Sequence, residues 1–426
     1  MNRKTFLRGL GLGALGALAA PNLLAHSPGD TPAALPAYDP RDDAAFWRAV
    51  RAQYPLDPTL HYMNTGGLGP ASNPVLKVFA DTMYAHQVIS DTGHHSFRKA
   101  RRVVADFFGT EPGEICFTRN ASEGNSIIAA GLTLHEGDEV IFESHAHPGG
   151  SFPWYNQHKR RGVVVKLFEP DPTSAEGNLQ RIRELITPRT KVIQISHVTA
   201  PTGIVLPAAE IAKLAQAHGI WFHIDGAQSA GMFPFKLEDL GCDSYATSGH
   251  KWLGAPHETG ILFIRHERND EVAPVCIGAY AGLLPFLPGE LKYEEDATRH
   301  EYATRSAASV VSVAAAVQFH QTVGHERIAA HGRALAQQMH EGLARIPTVE
   351  VLSPTRPELR CSITTFRTPR LDFDTLFDRL WADHKFRCRP VSEQKLNAVR
   401  ISTHLFNTAE ECDRLIAAVD TLVRRA

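Results

Sequence analysis

Residues 220–228 read Ile-Trp-Phe-His-Ile-Asp-Gly-Ala-Gln, a short apolar run that ends in a carboxylate. Apart from His223, the run before Asp225 is apolar, which is typical of a buried strand in a parallel sheet. Asp225 then lies at the tip of that strand. Because an unpaired charge is costly to bury, we expect a cationic partner for Asp225. The segment therefore predicts a strand that presents one acidic side chain to a functional site.

Similar apolar runs on both sides of this segment alternate with helical patterns. The predicted strands are Val140 to Glu143, Val163 to Phe168, Val192 to Ser196, Ile220 to Ile224 and Ile261 to Ile264. The clearest helix between them runs from Pro207 to His218, with Gly219 just past its end. This alternation predicts an α/β fold with buried parallel strands, helices on both faces of the sheet, and ligands beyond the carboxyl ends of the strands.

A second segment, residues 248–254, reads Ser-Gly-His-Lys-Trp-Leu-Gly and sets one lysine among small, aromatic and hydroxyl groups. A permanent ammonium is unfavourable in such surroundings, and burial lowers a lysine pKa and makes its amine nucleophilic. The simplest explanation for both segments is an aldehyde cofactor. We expect Lys251 to form a Schiff base with pyridoxal 5'-phosphate, while Asp225 keeps the pyridine nitrogen protonated as an electron sink.

With these residues the chain resembles the class V aminotransferase family of fold-type I pyridoxal phosphate enzymes, and within it the isopenicillin N epimerase-like branch. The resemblance spans Tyr62 to Ala426. It is carried by four blocks: residues 196–207, 223–228, 248–254 and 399–408. It implies a large domain with a mainly parallel sheet and a smaller C-terminal α+β domain.

The chain divides into four predicted segments. They are an export signal at 1–25, an N-terminal arm at 26–60, the large pyridoxal-phosphate-binding domain at 61–305 and the small C-terminal domain at 306–426. From Ser306 the sequence changes to a long Ala/Val-rich helical pattern, and it closes with a predicted helix from Ala409 to Arg425.

Residues 118–125, Thr-Arg-Asn-Ala-Ser-Glu-Gly-Asn, open a predicted helix whose free N–H groups and dipole favour an anion. The resemblance implies that this turn holds the cofactor phosphate. Ala121 and Ser122 would offer N–H or hydroxyl donors there, and Ser248 and His250 would complete the site. The alternative is a simple capping segment.

Residues 301–305 read Glu-Tyr-Ala-Thr-Arg and resemble the family's Gly-Thr-Arg segment, with Ala303 in place of the glycine. In the family this threonine reaches the phosphate in the neighbouring subunit. The resemblance therefore implies that Thr304 binds the cofactor and that the protein is a homodimer with a shared active site.

Three further residues take roles from the resemblance. His147 falls at the position of an aromatic ring that stacks on the pyridine ring, where an imidazole can also move protons. Gln228 would lie near the phenolic oxygen of the cofactor, and Arg400 would clamp a substrate carboxylate through two N–H donors. The rival interpretation of His145 and His147 as half of a metal site lacks the other ligands, so no metal is predicted.

The reaction type stays open among epimerase, aminotransferase and lyase. Desulfurases of the family carry asparagine where this chain has Ala200, and their nucleophilic cysteine lies on a loop near which Cys388 falls one residue out of register. We therefore expect chemistry at the Cα of an amino-acid or peptide substrate. The alternatives are a periplasmic enzyme that tailors a glutamyl residue of a peptide siderophore, and a non-catalytic binding module with the same fold.

Composition and the N-terminus bear on partners and location. Lys plus Arg is 44 and Asp plus Glu is 46, so no basic excess favours nucleic acid as a partner.

The basic stretch 2–8 precedes an apolar stretch, 9–20, that is too short to span a bilayer as an anchor. It resembles a twin-arginine signal with Lys4 replacing the second arginine, which predicts export to the periplasm. Without export the protein would remain cytoplasmic.

Overall fold

The computed structural model describes residues 34–426, so the predicted export signal lies outside the described residues. The α-helices are α1 (Asp43–Arg51), α2 (Asn73–Ile89), α3 (Phe97–Phe108), α4 (Ala121–Gly131), α5 (Pro148–Arg161), α6 (Ala175–Leu185), α7 (Ala208–Ala217), α8 (Leu237–Leu240), α9 (Ala307–Val323), α10 (His325–Ala344), α11 (Phe373–His384) and α12 (Ala409–Arg424). The strands are β1 (His61–Tyr62), β2 (Ile115–Thr118), β3 (Glu139–Glu143), β4 (Val164–Phe168), β5 (Thr190–Ser196), β6 (Trp221–Asp225), β7 (Ser244–Ser248), β8 (Gly260–Ile264), β9 (Gly282–Leu283), β10 (Lys292–Tyr293), β11 (Glu350–Val351), β12 (Ile363–Arg367), β13 (Phe386–Arg387), β14 (Arg389–Val391) and β15 (Ala398–Ser402).

The large sheet has seven strands in the order β2-β8-β7-β6-β5-β3-β4, and its central pairs are parallel. The prediction of a mainly parallel α/β sheet is confirmed. The prediction that residues 261–264 form a parallel strand is wrong, because β8 pairs antiparallel with both β7 and β2. The connection between β7 and β8 contains no helix to carry the chain back across the sheet, which a parallel pair requires.

The predicted burial of residues 163–168 is also only partly correct. In β4, Val164 and Leu167 are 40% and 45% exposed. The physical reason is position, since β4 is an edge strand that pairs only with β3.

Alternating residues of the central strands supply hydrophobic clusters on the two faces of the large sheet. Ile141, Ile193 and Phe222 belong to one cluster, which also takes in α3, α7 and α9. Val140 and Val192 belong to the other, together with residues of α4. Helices therefore cover both faces, as the alternating pattern predicts.

A second, antiparallel sheet has the order β11-β12-β15-β14. A separate cluster packs it against α10, α11 and α12 through residues such as Leu335, Leu380 and Val419. Helix α9, which follows the predicted boundary at residue 305, packs with the first cluster through Ala307 and Val310. The exact domain division stays a prediction. No helix within residues 34–426 is long and apolar enough to cross a membrane.

The parallel strands bring four loops to one edge of the large sheet. Strands β3, β5, β6 and β7 run the same way and end at Glu143, Ser196, Asp225 and Ser248. In an open α/β sheet, ligands bind outside the carboxyl ends of the strands. The candidate site is therefore built from the residues that follow these four strand ends.

Candidate active site

Asp225 is a buried carboxylate at the end of β6, with 5% of its surface exposed. One oxygen accepts the Ala227 N–H at 3.0 Å, and the other accepts the Asn125 side-chain amide at 3.0 Å. Burial raises the pKa of Asp225. Within the described part of the chain, no lysine, arginine or histidine forms an ion pair with it. The cationic partner expected from the sequence is therefore not formed as an ion pair by the described residues.

A hydrogen-bonded chain runs through the protein to Asp225. The Trp221 indole donates to Ser244 Oγ at 2.9 Å, and the Ser244 hydroxyl lies 2.8 Å from His223 Nδ1. His223 Nε2 lies 2.9 Å from Asn125 Oδ1. Burial lowers the pKa of His223 to about 3, so the ring is neutral and donates from Nε2 only. Each donor in this series of hydrogen bonds thus has an acceptor, and the Asn125 amide N–H at its end fixes the orientation of Asp225.

Sequence reasoning missed Asn125 and assigned His223 only to a strand. Asn125 lies four residues after Ala121 on α4, and residues with that spacing share a helix face. This signal was present in the sequence. Because the sequence does not show which strand α4 covers, however, this spacing did not identify Asp225 as the partner of Asn125.

Lys251 lies three residues beyond the end of β7 and is partly buried. Burial lowers the pKa of Lys251 to about 8; Asp225 opposes the shift, while Arg400 and Arg389 add to it. Its amine forms no hydrogen bond or ion pair with another residue of 34–426. Lys251 and Asp225 thus influence each other electrostatically, and the amine is left available.

The backbone on the other side of Lys251 is closely packed. The Gly69 N–H donates to the His250 carbonyl at 2.8 Å. A Cβ at Gly69 would lie 1.8 Å from the Lys251 carbonyl oxygen, so this position excludes every other residue unless the backbone moves.

The first turn of α4 meets the end of β7. The Ala121 N–H donates to Ser248 Oγ at 3.0 Å, and Ser122 is exposed beside it. His250 Nδ1 is buried and has no hydrogen-bond partner among the described residues. The free N–H groups and dipole of a helix N-terminus favour an anion. The structure therefore brings Ala121 and Ser248 into contact at this helix N-terminus, with Ser122 beside them and His250 two residues after Ser248. The binding of the cofactor phosphate by these four residues stays a prediction.

His147 caps α5, where its Nδ1 accepts the Gly149 N–H at 3.0 Å. Burial, followed by the charges of Lys251, Arg389 and Arg400, lowers the pKa of His147 to about 3. A ring that stays neutral suits stacking on a cofactor better than carrying protons. A Cβ at Gly150 would lie 2.7 Å from Asp225 Oδ2, which shows how closely the start of α5 approaches that carboxylate.

Arg400 on β15 is 1% exposed. Its Nη1 donates to the Ala200 carbonyl at 2.8 Å and its Nη2 to Asn64 Oδ1 at 3.1 Å, while Nε is buried without a partner. Within residues 34–426, no carboxylate pairs with it. A buried guanidinium stays charged, and leaving it unpaired is costly. The structure therefore leaves the Arg400 guanidinium without a counter-ion among the described residues, and its binding of a substrate carboxylate stays a prediction.

Gln228 and Thr304 are placed differently from the other predicted site residues. Gln228 donates to the Gly66 carbonyl at 2.8 Å and accepts the Trp252 indole N–H at 2.8 Å, so both ends of its amide are already bonded to protein. Thr304 is exposed and lines a surface depression with Thr118. It forms no hydrogen bond with the other predicted site residues in the described chain. The cofactor-binding roles of both residues stay predictions.

The residues present fit pyridoxal phosphate. The buried carboxylate of Asp225 matches a cationic ring nitrogen, the amine of Lys251 matches an aldehyde, and the start of α4 matches a phosphate. Among the described residues, neither Asp225 nor Lys251 forms an ion pair.

Comparisons with known proteins agree with this fit. The family model for aminotransferase class-V matches residues 80–415. Isopenicillin N epimerase of Amycolatopsis lactamdurans is 29% identical over 401 residues, covering 89% of this chain and 99% of the relative. A probable cysteine desulfurase of Pyrococcus abyssi is 27% identical over 401 residues, covering 88% and 97%.

Solved structures show the same architecture. The apo cysteine desulfurase of Thermococcus onnurineus NA1 matches with a TM-score of 0.80 and 25% identity, covering 88% of this chain and 98% of that one. The C-DES protein with glycine covalently linked to its pyridoxal phosphate matches with a TM-score of 0.78 and 25% identity, covering 87% and 98%. The chain therefore belongs to the class V aminotransferase family and is a pyridoxal-phosphate-dependent enzyme of fold type I.

Proposed function

We propose that the protein acts at the Cα of an amino-acid or peptide substrate, in a reaction of the epimerase or aminotransferase type. The observation that carries the proposal is Arg400, a fully buried guanidinium with no carboxylate partner in the described chain, whose charge also lowers the pKa of Lys251. A substrate carboxylate bound at Arg400 would bring the adjacent Cα towards the lysine. The similarity to isopenicillin N epimerase supports the same class of reaction.

Each residue then has a specific task. Bound pyridoxal phosphate supplies an electron sink for negative charge that develops at the substrate Cα. Asp225, oriented by Asn125, holds the proton on the ring nitrogen. Arg400 orients the substrate through charge-assisted N–H donors. Lys251, whose pKa is lowered to about 8, takes and returns the Cα proton when its amine is free.

The neutral state of His147 bears on the choice between epimerase and aminotransferase. An epimerase that uses two bases needs a second proton donor on the opposite face, and an imidazole with a pKa of about 3 is a poor one. This favours Lys251 as the single proton carrier. Incubation with one enantiomer in D2O separates the two reactions. An epimerase produces the opposite enantiomer labelled at Cα, whereas an aminotransferase yields more than one equivalent of oxo acid per enzyme only when an amino-group acceptor is present.

The cysteines favour chemistry at Cα over sulfur transfer. Cys388 is buried in the hydrophobic cluster of the small sheet, and burial raises its pKa. Burial also raises the pKa of Cys361 to about 12. A nucleophilic cysteine must be accessible and readily deprotonated. Cys276, the exposed cysteine among the described residues, lies between β8 and β9. Persulfide formation from cysteine at rates typical of desulfurases would overturn this part of the proposal.

The first experiment is the visible spectrum of the purified protein with added pyridoxal phosphate, before and after borohydride. We expect a yellow band that borohydride bleaches. Lys251→Ala should abolish the band, whereas Lys213→Ala, which changes an exposed lysine on α7, should keep it. Screening of amino acids and short peptides then follows. A coloured protein that reacts with none of them would favour the non-catalytic binding module.

We also propose a homodimer in which Thr304 completes the phosphate site of the neighbouring subunit. The exposure of Thr304 and the absence of a hydrogen-bond partner for it among residues 34–426 support this arrangement. Light scattering should give twice the chain mass, and Thr304→Val should weaken cofactor binding. A monomer that holds the cofactor fully would contradict the proposal.

Location rests on residues 2–20 alone. We propose export to the periplasm, which makes an enzyme that modifies a glutamyl residue of a peptide siderophore the second candidate. Cell fractionation tests the location. Mass analysis of peptides secreted during growth in iron-poor medium, with and without the gene, tests the substrate.

A further inference from the structure

Two arginines lie opposite each other on neighbouring strands of the small sheet. Arg389 on β14 is the register partner of Arg400 on β15, and the two strands are antiparallel. Directly opposed residues of antiparallel strands project from the same face, with Cβ atoms about 4.5–5.5 Å apart. Two guanidinium groups placed in this way repel each other unless anions lie beside both of them.

Arg389 has one protein counter-ion and one free edge. Its Nη2 pairs with Glu393, whose side chain is 29% exposed. Its Nη1 is buried and forms no hydrogen bond with any described residue. Glu393 alone therefore does not satisfy this guanidinium.

The loop that carries Glu393 is strained. Gln394, Lys395 and Asn397 have φ values of 50°, 58° and 48°, in the left-handed region that residues other than glycine rarely adopt. The ion pair between Arg389 and Glu393 connects this loop to β14.

Arg389 is near enough to the catalytic groups to act on them electrostatically. Its charge lowers the pKa of both Lys251 and His147, as does the charge of Arg400. The charged side chains that act on one another are Lys251, Arg389 and Arg400 on the positive side and Asp225 and Glu393 on the negative side. One substrate carboxylate at Arg400 leaves the buried Nη1 of Arg389 without an acceptor.

We propose that Arg389 binds a second carboxylate of the substrate through Nη1, while Arg400 holds the carboxylate next to the reacting Cα. The inference rests on the proposed function and adds a substrate class, namely acidic amino acids or peptides that contain such a residue at the reacting position. A charge-assisted hydrogen bond at a buried position selects an acidic side chain over a neutral one by roughly 10- to 100-fold.

Binding of simple carboxylates to the holoenzyme tests this assignment. Glutarate and adipate have two carboxylates, whereas valerate and hexanoate have the same chain lengths and one. Calorimetry should give affinities about 10-fold or more higher for each diacid than for its monoacid. Arg389→Gln should remove the difference and change monoacid affinity by less than about threefold, and Arg389→Lys should restore part of it.

Glu393→Gln is the matched variant, because it removes the competing carboxylate and keeps Arg389. We expect it to maintain or increase the preference for diacids. Equal affinities of the wild type for diacids and monoacids would overturn the assignment, as would an equal loss of both in Arg389→Gln. Thermal unfolding of each variant shows whether the fold is intact, and the lysine variant tests the charge if the glutamine variant does not fold.

Because calorimetry needs no turnover, the two proposals fail separately. A preference for diacids in a protein that reacts with no amino acid and no peptide overturns the proposed function and leaves the second anion position standing. Reaction with amino acids at equal efficiency for glutamate and glutamine overturns the second anion position alone.

Discussion

Replacement of Asn125 by leucine should remove the side-chain hydrogen bond that Asp225 accepts, with little change in side-chain volume. Asn125 is 0% exposed and takes part in hydrogen bonds with Asp225 at 3.0 Å, with the Gly149 carbonyl at 3.2 Å and with His223 at 2.9 Å. Losing a hydrogen bond to a charged group costs about 1.5–3 kcal/mol, and each buried polar group left unsatisfied costs about 1–3 kcal/mol. The free energy of unfolding should therefore fall by roughly 3–6 kcal/mol.

The functional effect has a defined sign. The Asn125 amide lowers the pKa of Asp225 against the opposing effect of burial, so its removal raises that pKa further. Asp225 is then protonated up to a higher pH and cannot hold a charged ring nitrogen. The acid limb of the pH–activity profile should move to higher pH, and cofactor affinity should fall.

Asn178→Leu provides a matched control. Asn178 is also 0% exposed and has hydrogen bonds of 2.7, 2.9 and 3.0 Å to Asp171 and Ser174, at the start of α6. Urea unfolding should show comparable losses of stability for the two variants. Titration with pyridoxal phosphate and the pH profile should change only in Asn125→Leu. If both variants retain the same cofactor affinity and the same acid limb, Asn125 does not control the charge state of Asp225.

Three further predictions follow from particular contacts. Burial raises the pKa of Glu143 from 4.5 to about 7, so the stability that Glu143 provides as a neutral acid is lost as pH rises between these values. Urea unfolding at pH 4.5 and pH 8 measures this loss, and Glu143→Gln should remove about 3 kcal/mol of the pH dependence. Gly69→Ala should lower activity and reduce the free energy of unfolding by about 3 kcal/mol or more, because the added Cβ would overlap the Lys251 carbonyl. Gly113→Ala is the control and should be tolerated, because its Cβ would lie 3.3 Å from the nearest atom, Asp296 Oδ2. Arg400→Lys should reduce kcat/KM by about 100-fold or more, whereas Arg367→Lys, at a partly exposed ion pair on β12, should change it less than about twofold.

The sequence alone determined the class of fold and the two groups central to the chemistry. Apolar runs followed directly by a polar residue identify strand ends, and this placed Asp225 at the edge of a sheet. The small, aromatic and hydroxyl residues around Lys251 indicated a reactive amine, but the strand that precedes it, β7, was not among the predicted strands. Both are local signals, because they depend on residues that are neighbours in the chain. The resemblance to the family added Ala121, Ser122, Ser248 and Arg400 by their positions within motifs.

Only the tertiary structure decided which side chains are hydrogen-bond partners or act on one another through their charges. Asn125 meets Asp225 across 100 residues, and Arg400 meets Ala200 across 200, so no local pattern joins them. The same holds for Gln228, whose amide is bonded to Gly66 across 162 residues. The antiparallel direction of β8 depends on a connection without a helix, and the opposition of Arg389 and Arg400 depends on the register of two strands. Hydrogen bonds and charges act through space, so these partners are determined only when the sheets and helices have packed.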